Sequence, residues 1–313
     1  MLRYTVIRLL GAIPTLFVVL TVIFVIIRVA PGDPAIAVLG DQASAQAIET
    51  VRERMGLNVP LTTQYVNFIT GLFRGDLGVS LITGRSISTQ LVGVLPHTLQ
   101  LTFAALLVGT SFGIPLGVLT AVRQNRPVDY IGRVLSLAGL SFPAFFLAIL
   151  FMLFFSVRLG WFPTVGVAPF NQPLQNLRYL ALPALSLGLI ATAYITRITR
   201  SVILNILPED YVRTARAKGM PEGVVLSRHT LRPALIPVVS LIGIFSISLI
   251  GSSVMTELVF ARPGLGRTMV QATLQRDYTM LQGVMTVFAI IVIVINILTD
   301  LLYAVLDPKV RLK

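Results

Sequence analysis

The sequence predicts an all-α integral membrane protein that crosses the bilayer six times with both termini in the cytoplasm. Three observations lead there. The 313 residues are 55% hydrophobic and only 12% charged, with a mean hydropathy of +0.85, whereas a soluble domain carries about 25% charged residues. Six long charge-free gaps interrupt the chain, with basic residues at their edges. A charge at the bilayer centre costs roughly 2.5–3.5 kcal/mol on insertion scales, so such gaps mark spans. They also lack the period-two alternation of membrane strands. The net charge of +12 is then a matter of membrane orientation, and nucleic acid is not expected as a partner.

The six spans are Leu9–Ile27, Leu99–Val122, Val134–Val157, Tyr179–Thr196, Pro233–Thr256 and Tyr278–Thr299. Each has about the 17–25 residues needed to cross the hydrocarbon core. With the N-terminus inside, the 25 basic residues divide 15 on the cytoplasmic side against 10 outside, the sense the positive-inside rule requires. The first apolar run exceeds the roughly 7–15 residues of a signal peptide and no A-x-A site follows, so residues 1–30 are expected to remain as an anchor.

Residues 31–96 form the external segment. Pro31-Gly32-Asp33-Pro34 stops any helix, and the length that follows requires structure of its own. Ile48, Val51 and Met55 fall at helical spacing with Gly56 as a cap. Pro60 opens a second helix with Leu61, Tyr65, Phe68 and Leu72 along one face. Gly75-Asp76-Leu77-Gly78 then breaks the chain.

Residues 97–313 form the membrane core. In its first span Gly109, Gly113 and Gly117 share one helical face and permit close approach of a neighbour, from this chain or a second subunit. Pro115, Pro183 and Pro143 lie inside spans, an arrangement that suits rocking helices and static packing equally. Polar groups within the spans are mild: Thr110, Ser111, Ser136, Ser141, Ser186, Thr192, Tyr194, Ser246, Ser248 and Asn296 either line a pathway or bond across helices. No span has an acid at its middle, as a proton relay would. Asp300 sits near the inner end of the last span, within reach of water or Arg311.

The longest polar interruption in the C-terminal half runs from Asn205 to Pro237. It predicts two short helices, the first opened by Pro208 with Glu209 and Asp210 in its first turn. Arg216 and Lys218 fall in its last turn, before Gly219 as a left-handed cap. Pro221 and Glu222 start the second, which should end before Pro233. A helix of about 11 residues is too short to stand alone in water, so a packing partner is expected.

Several chemistries are excluded. There is no cysteine, hence no disulfide and no thiolate metal site. The two histidines, His97 and His229, fall on opposite sides of the membrane by this topology and cannot share a metal. No H-E-x-x-H, G-x-S-x-G or P-loop sequence is present. The chain is not expected to be an enzyme or to hold a cofactor. Two classes remain: a transporter subunit energised by another polypeptide, or an ATP-independent channel or secondary carrier. The absence of intramembrane acids favours the first.

The run Glu209-Asp210-Tyr211-Val212-Arg213-Thr214-Ala215-Arg216-Ala217-Lys218-Gly219, followed by Arg228-His229-Thr230-Leu231-Arg232 and Ala234-Leu235-Ile236-Pro237, resembles the permease subunits of bacterial ABC importers. It is closest in form to the dipeptide, oligopeptide, nickel and glutathione-like group. The general importer motif is E-A-A, three residues, G, nine residues, I-x-L-P. Aligned on Gly219, only Ala215, Gly219 and Leu231 match strictly, but R-T-A-R-A-K-G is the form of the peptide group. Gly75-Asp76-Leu77-Gly78-Val79-Ser80, Ser141-Phe142-Pro143-Ala144, Pro263-Gly264-Leu265-Gly266-Arg267, Arg276-Asp277-Tyr278 and Asp307-Pro308-Lys309-Val310-Arg311 extend the likeness along essentially the whole chain.

The resemblance implies a type I ABC importer permease fold in the bacterial inner membrane. It implies that residues 205–232 form coupling helices docked on a cytoplasmic ATPase. There Tyr211, Thr214, Ala215 and Gly219 would make close contact, with Glu209, Asp210, Arg213, Arg216, Lys218, Arg228 and His229 around them. It implies a second homologous permease (a heterodimer), two ATPase subunits that bind ATP and Mg, and an external solute-binding protein. Asp33, Asp76, Pro263, Gly264, Gly266 and Arg267 would lie near that delivery site. The substrate implied is a peptide or similar small solute.

Overall fold

The computed structural model describes residues 2–29, 34–39, 43–54, 56–80 and 82–306. All are helical or in connections, and no sheet forms among the described residues. In order the helices are α1 (Leu2–Val29), α2 (Pro34–Leu39), α3 (Ala45–Arg54), α4 (Leu61–Phe73), α5 (Ile87–Val122), α6 (Pro127–Ser141) and α7 (Ala144–Phe151), which continues π-helically through Met152–Arg158. They are followed by α8 (Pro173–Ile206), α9 (Asp210–Ala217) and α10 (Glu222–Val224), which runs through a π-helical segment Val225–Leu231 into α11 (Arg232–Val259). The last are α12 (Leu265–Leu274) and α13 (Tyr278–Leu306). Five of these stretches are long and apolar enough to span a membrane, and the α6–α7 pair makes a sixth if counted as one.

The span expected over Val134–Val157 is not one continuous helix: α6 and α7 meet at 95°. The cause is local. Pro143 has no N–H to donate and excludes the helical region from the residue before it. Phe142 accordingly turns extended, at φ −92°, ψ 131°. Pro183, by contrast, stays inside an unbroken α8. The second span also differs, because α5 begins at Ile87 and carries Pro96 and His97 within the helix.

The chain divides into two compact units. One is built on Thr98–Arg262 with the end of α13, the other on Ile7–His97 and Pro263–Val294. In the first, α8 is central. Leu180, Leu187, Ala191 and Ile195 of α8 bury against Leu101 and Ala105 of α5 and Val238, Ile242 and Leu249 of α11. The three α5 glycines do face a helix of this same chain. A Cβ built at Gly109 would lie 2.5 Å from the Cβ of Ala191, one at Gly113 2.8 Å from the Cβ of Ile195, and one at Gly117 2.8 Å from the carbonyl oxygen of Thr196. Small residues therefore set the α5–α8 distance, since no solvent-driven force holds helices together in lipid. Most span hydroxyls return to their own helix. Thr110 donates to Leu106, Thr192 to Gly188 and Ser246 to Ile242, each at 2.8–2.9 Å. These three hydroxyls are satisfied within their own helices.

In the second unit Pro60 precedes α4, as expected. Tyr65 and Phe68 of α4 pack on Phe24 of α1 at centroid distances of 5.3 and 6.0 Å, while Leu61 points outward. Arg28 Nε donates to Gln64 Oε1 at 2.8 Å. Gly56 takes φ +62° after α3. Met55, the cluster Pro31–Asp33 and the Asp307–Arg311 ending lie outside the described residues.

Candidate coupling site

The Asn205–Pro237 stretch belongs wholly to the first unit. Its first helix, α9, starts at Asp210 with Glu209 as N-cap; Pro208 stands in the preceding turn and not at the first helical position. Its far end is a complete Schellman closure. Gly219 N–H bonds to Arg216 O at 2.9 Å and Met220 N–H to Ala215 O at 3.3 Å, with Gly219 at φ +73°. The accompanying apolar contact is present: Val212, Ala215 and Val225 bury together against Ile206 and Met220.

This core answers how so short a helix stands. Val212 and Ala215 face inward, so Ala215, expected at the docking surface, is an internal contact. Facing outward are Tyr211, Arg213, Thr214, Lys218 and Gly219, with Glu209 and Asp210 at the N-terminal end. Tyr211 is 45% exposed. Burial of its ring, then the charge of Glu209, raises its phenol pKa above the usual value, so it remains a neutral donor at neutral pH. Arg216 forms a fork on Glu222, Nη2 to Oε1 at 2.7 Å and Nε to Oε2 at 3.2 Å, which ties the end of α9 to the start of α10.

The second short helix does not stop before Pro233. Backbone at Arg232 is helical, φ −57°, ψ −49°, and Glu222–Val259 is continuous over 38 residues. The wider i→i+5 turns of Val225–Leu231 give room for a proline ring that would clash in a regular α-helix. Arg228 is exposed here, and His229 Nε2 is enclosed without a hydrogen-bond partner.

The other candidates separate. Asp76 Oδ1 caps its own turn by accepting from Gly78 N–H at 2.8 Å. Two motifs far apart in sequence meet, because Ser80 Oγ donates to Asp277 Oδ2 at 2.5 Å. Gly264 and Gly266 are buried, Pro263 and Arg267 half-buried, and Asp33 lies outside the described residues.

Two buried charge clusters in the first unit escaped the sequence reading. Asp129 is fully buried and takes both Nε and Nη2 of Arg200, at 2.7 and 2.9 Å. Near the C-terminal end of α11, Glu257 is fully buried and accepts from Thr98 Oγ1 at 2.6 Å. Arg262, also fully buried, donates Nη2 to Gln100 Oε1 at 2.6 Å, and Gln100 in turn bonds Asn176 at 2.5 Å. Burial lowers the Arg262 pKa to about 10, with the charge of Glu257 acting the other way. In the sequence Glu257 is only the charge that closes the Pro233–Thr256 gap, and Arg262 only one of the ten basic residues counted outside.

Five apolar helices with the bent α6–α7 pair, a small-residue seam and an amphipathic helix seated between two long spans define a polytopic membrane protein. The comparisons with known proteins specify it. The family described as "Binding-protein-dependent transport system inner membrane component" matches residues 113–312, and its N-terminal companion, "Binding-prot-dependent transport system membrane comp, N-term", matches residues 1–102. The chain belongs to this family, the integral membrane subunits of bacterial ABC importers, which are multi-pass inner-membrane proteins and not themselves catalytic. It is 42% identical to the glutathione transport system permease protein GsiC of Pectobacterium atrosepticum and 40% identical to that of Escherichia coli K12, each over the whole of both chains. Its fold is similar to a chain of the MetNI methionine ABC transporter in inward-facing form, with TM-score 0.57 and 24% identity over 69% of this chain and 96% of that one.

Proposed function

We propose that this chain carries peptide-like solutes, glutathione or short peptides, as one permease of an ABC importer. The substrate class rests on the full-length identity to glutathione permease proteins. In this reading both termini and α9 are cytoplasmic. Two ATPase subunits bind ATP and Mg outside this chain, a second homologous permease pairs with it, and an external binding protein delivers the solute.

Within it, α9 is the docking element for the ATPase. The observation that carries this role is its form: an eight-residue helix with an internal apolar core, a closed C-terminus and a polar outer face. It is held between the end of α8 and the start of the α10–α11 helix, so displacement of α9 reaches both spans. Gly219→Asp should abolish ATP-driven uptake of labelled glutathione or dipeptide into vesicles containing the assembled transporter, while insertion of the chain is unchanged. Normal substrate-stimulated ATP hydrolysis in that variant would refute the coupling role. Uptake that proceeds equally without ATP would refute the importer reading.

A further inference from the structure

A cavity of about 320 Å³ lies wholly within the second unit, among the C-terminal end of α1, α4 with the turn that follows it, and the first turns of α13. Sites for small molecules span roughly 300–1,000 Å³. Arg28, Gln64, Asn67, Asp76 and Gln282 give its wall polar character. Arg28 is half-buried and is held along one edge. Its Nε donates to Gln64 Oε1 at 2.8 Å. Gln64 is itself fixed, since its Nε2 donates to the carbonyl oxygens of Leu57 at 3.3 Å and Val59 at 2.9 Å. The Phe24 ring packs on the guanidinium, 4.9 Å from centroid to Cζ. The other edge is unspent. Nη1 comes only within 3.5 Å of Gln282 Oε1, and Nη2 has no hydrogen-bond partner among the described residues.

A guanidinium clamped in this way presents Nη1 and Nη2 as two parallel donors, the geometry that takes a carboxylate. Gln282 is 7% exposed, and with its Oε1 toward Arg28 its Nε2 stays an unused donor among the described residues. Asp76 lies on the same wall. Its Oδ1 accepts from Gly78 N–H, and no ion pair joins it to Arg28. A carboxylate there repels a simple anion, whereas a solute carrying both charges satisfies both groups. We infer that this cavity binds a short peptide by its free α-carboxylate, held by Nη1 and Nη2 of Arg28 and Nε2 of Gln282, with the ammonium end toward Asp76. The inference rests on the importer reading proposed above, in which this end of α1 and α13 is external and faces the delivered solute.

The test is equilibrium binding of labelled dialanine to the purified full chain in phosphatidylcholine nanodiscs, without ATP or partner subunits. Dialanine should bind saturably. A hydrogen-bonded charge is worth about tenfold or more in binding, so dialanine amide should bind at least about tenfold more weakly. Arg28→Gln should lose a similar factor. Arg28→Lys should fall between, because an ammonium cannot present the fork, and Gln282→Met should lose about two- to tenfold. The remote control Arg178→Gln should bind as the wild type does. Absence of dialanine binding overturns the inference, as do equal binding of dialanine and its amide and unchanged binding in Arg28→Gln. N-acetyl-dialanine that binds as well as dialanine, or inorganic phosphate that displaces it at equal concentration, would make this a simple anion site and overturns it too. If Arg28→Gln does not fold, the comparison of dialanine with its amide on the wild-type chain decides. ATP-dependent uptake of dialanine by the assembled transporter separates the two readings. Uptake without binding here refutes the cavity alone, and binding without ATP-dependent uptake refutes the importer reading alone.

Discussion

Replacing Gly113 with alanine tests the α5–α8 seam most directly. The new methyl would lie 2.8 Å from Ile195 Cβ, 2.9 Å from its Cγ2 and 3.0 Å from the carbonyl oxygen of Thr192. Carbon atoms pack best at about 3.5–4.0 Å. Two of these neighbours are a Cβ and a backbone oxygen, which cannot rotate away, so α5 and α8 must part by about 0.7 Å or more. A radial gap of 0.5–1 Å forfeits a quarter to a half of each contact's attraction along the seam. Overpacking of this kind costs about 1–3 kcal/mol, and the upper part of that range is expected because Gly109 and Gly117 sit on the same face. Gly11 supplies the control: it is helical and nothing lies within 4 Å of its Cβ position, so Gly11→Ala should be neutral or stabilising by about 0.5 kcal/mol. Equilibrium unfolding of the purified chain in detergent measures both. Equal stability of the two variants would refute the claim that glycine sets the helix separation.

Other outcomes follow from the polar clusters and the cap. Glu257→Gln leaves the fully buried Arg262 without its nearby anion and should destabilise by about 3–5 kcal/mol; Glu257→Gln with Arg262→Met should recover much of that in the same unfolding measurement. Gly219→Ala keeps α9 but forces a Cβ into the left-handed region, at a cost of about 1–2 kcal/mol, read by accelerated proteolysis at this loop. Arg216→Gln should change stability by less than about 1 kcal/mol, because the fork is exposed. Its effect should appear in transport, with the exchanged pair Arg216→Glu and Glu222→Arg restoring activity.

What was legible in the sequence was what one segment decides alone. Charge-free length located the spans, and the placement of Asp210, Arg216 and Gly219 located α9 and its cap. Prolines were read less well. Pro183 stays inside an unbroken helix, Pro143 breaks one, and Pro233 is absorbed by a π-helical turn, because neighbouring helices decide whether freed carbonyls are satisfied. The buried polar clusters were not legible at all. Thr98 and Glu257 are 159 residues apart, and Asp129 and Arg200 are 71 apart; no local pattern links them. Ala215 shows a subtler limit: smallness suits close docking and internal packing alike, and only the position of Val225 decides.

The uninterrupted helix from Glu222 to Val259 has a mechanical consequence. At 1.5 Å per residue its 38 residues make a rod of about 57 Å, nearly twice the roughly 30 Å of the hydrocarbon core. A tilt of about 10° at one end sweeps the other through about 10 Å over that length. The fork of Arg216 on Glu222 therefore ties α9 to one end of a rod whose other end lies beside the buried Glu257.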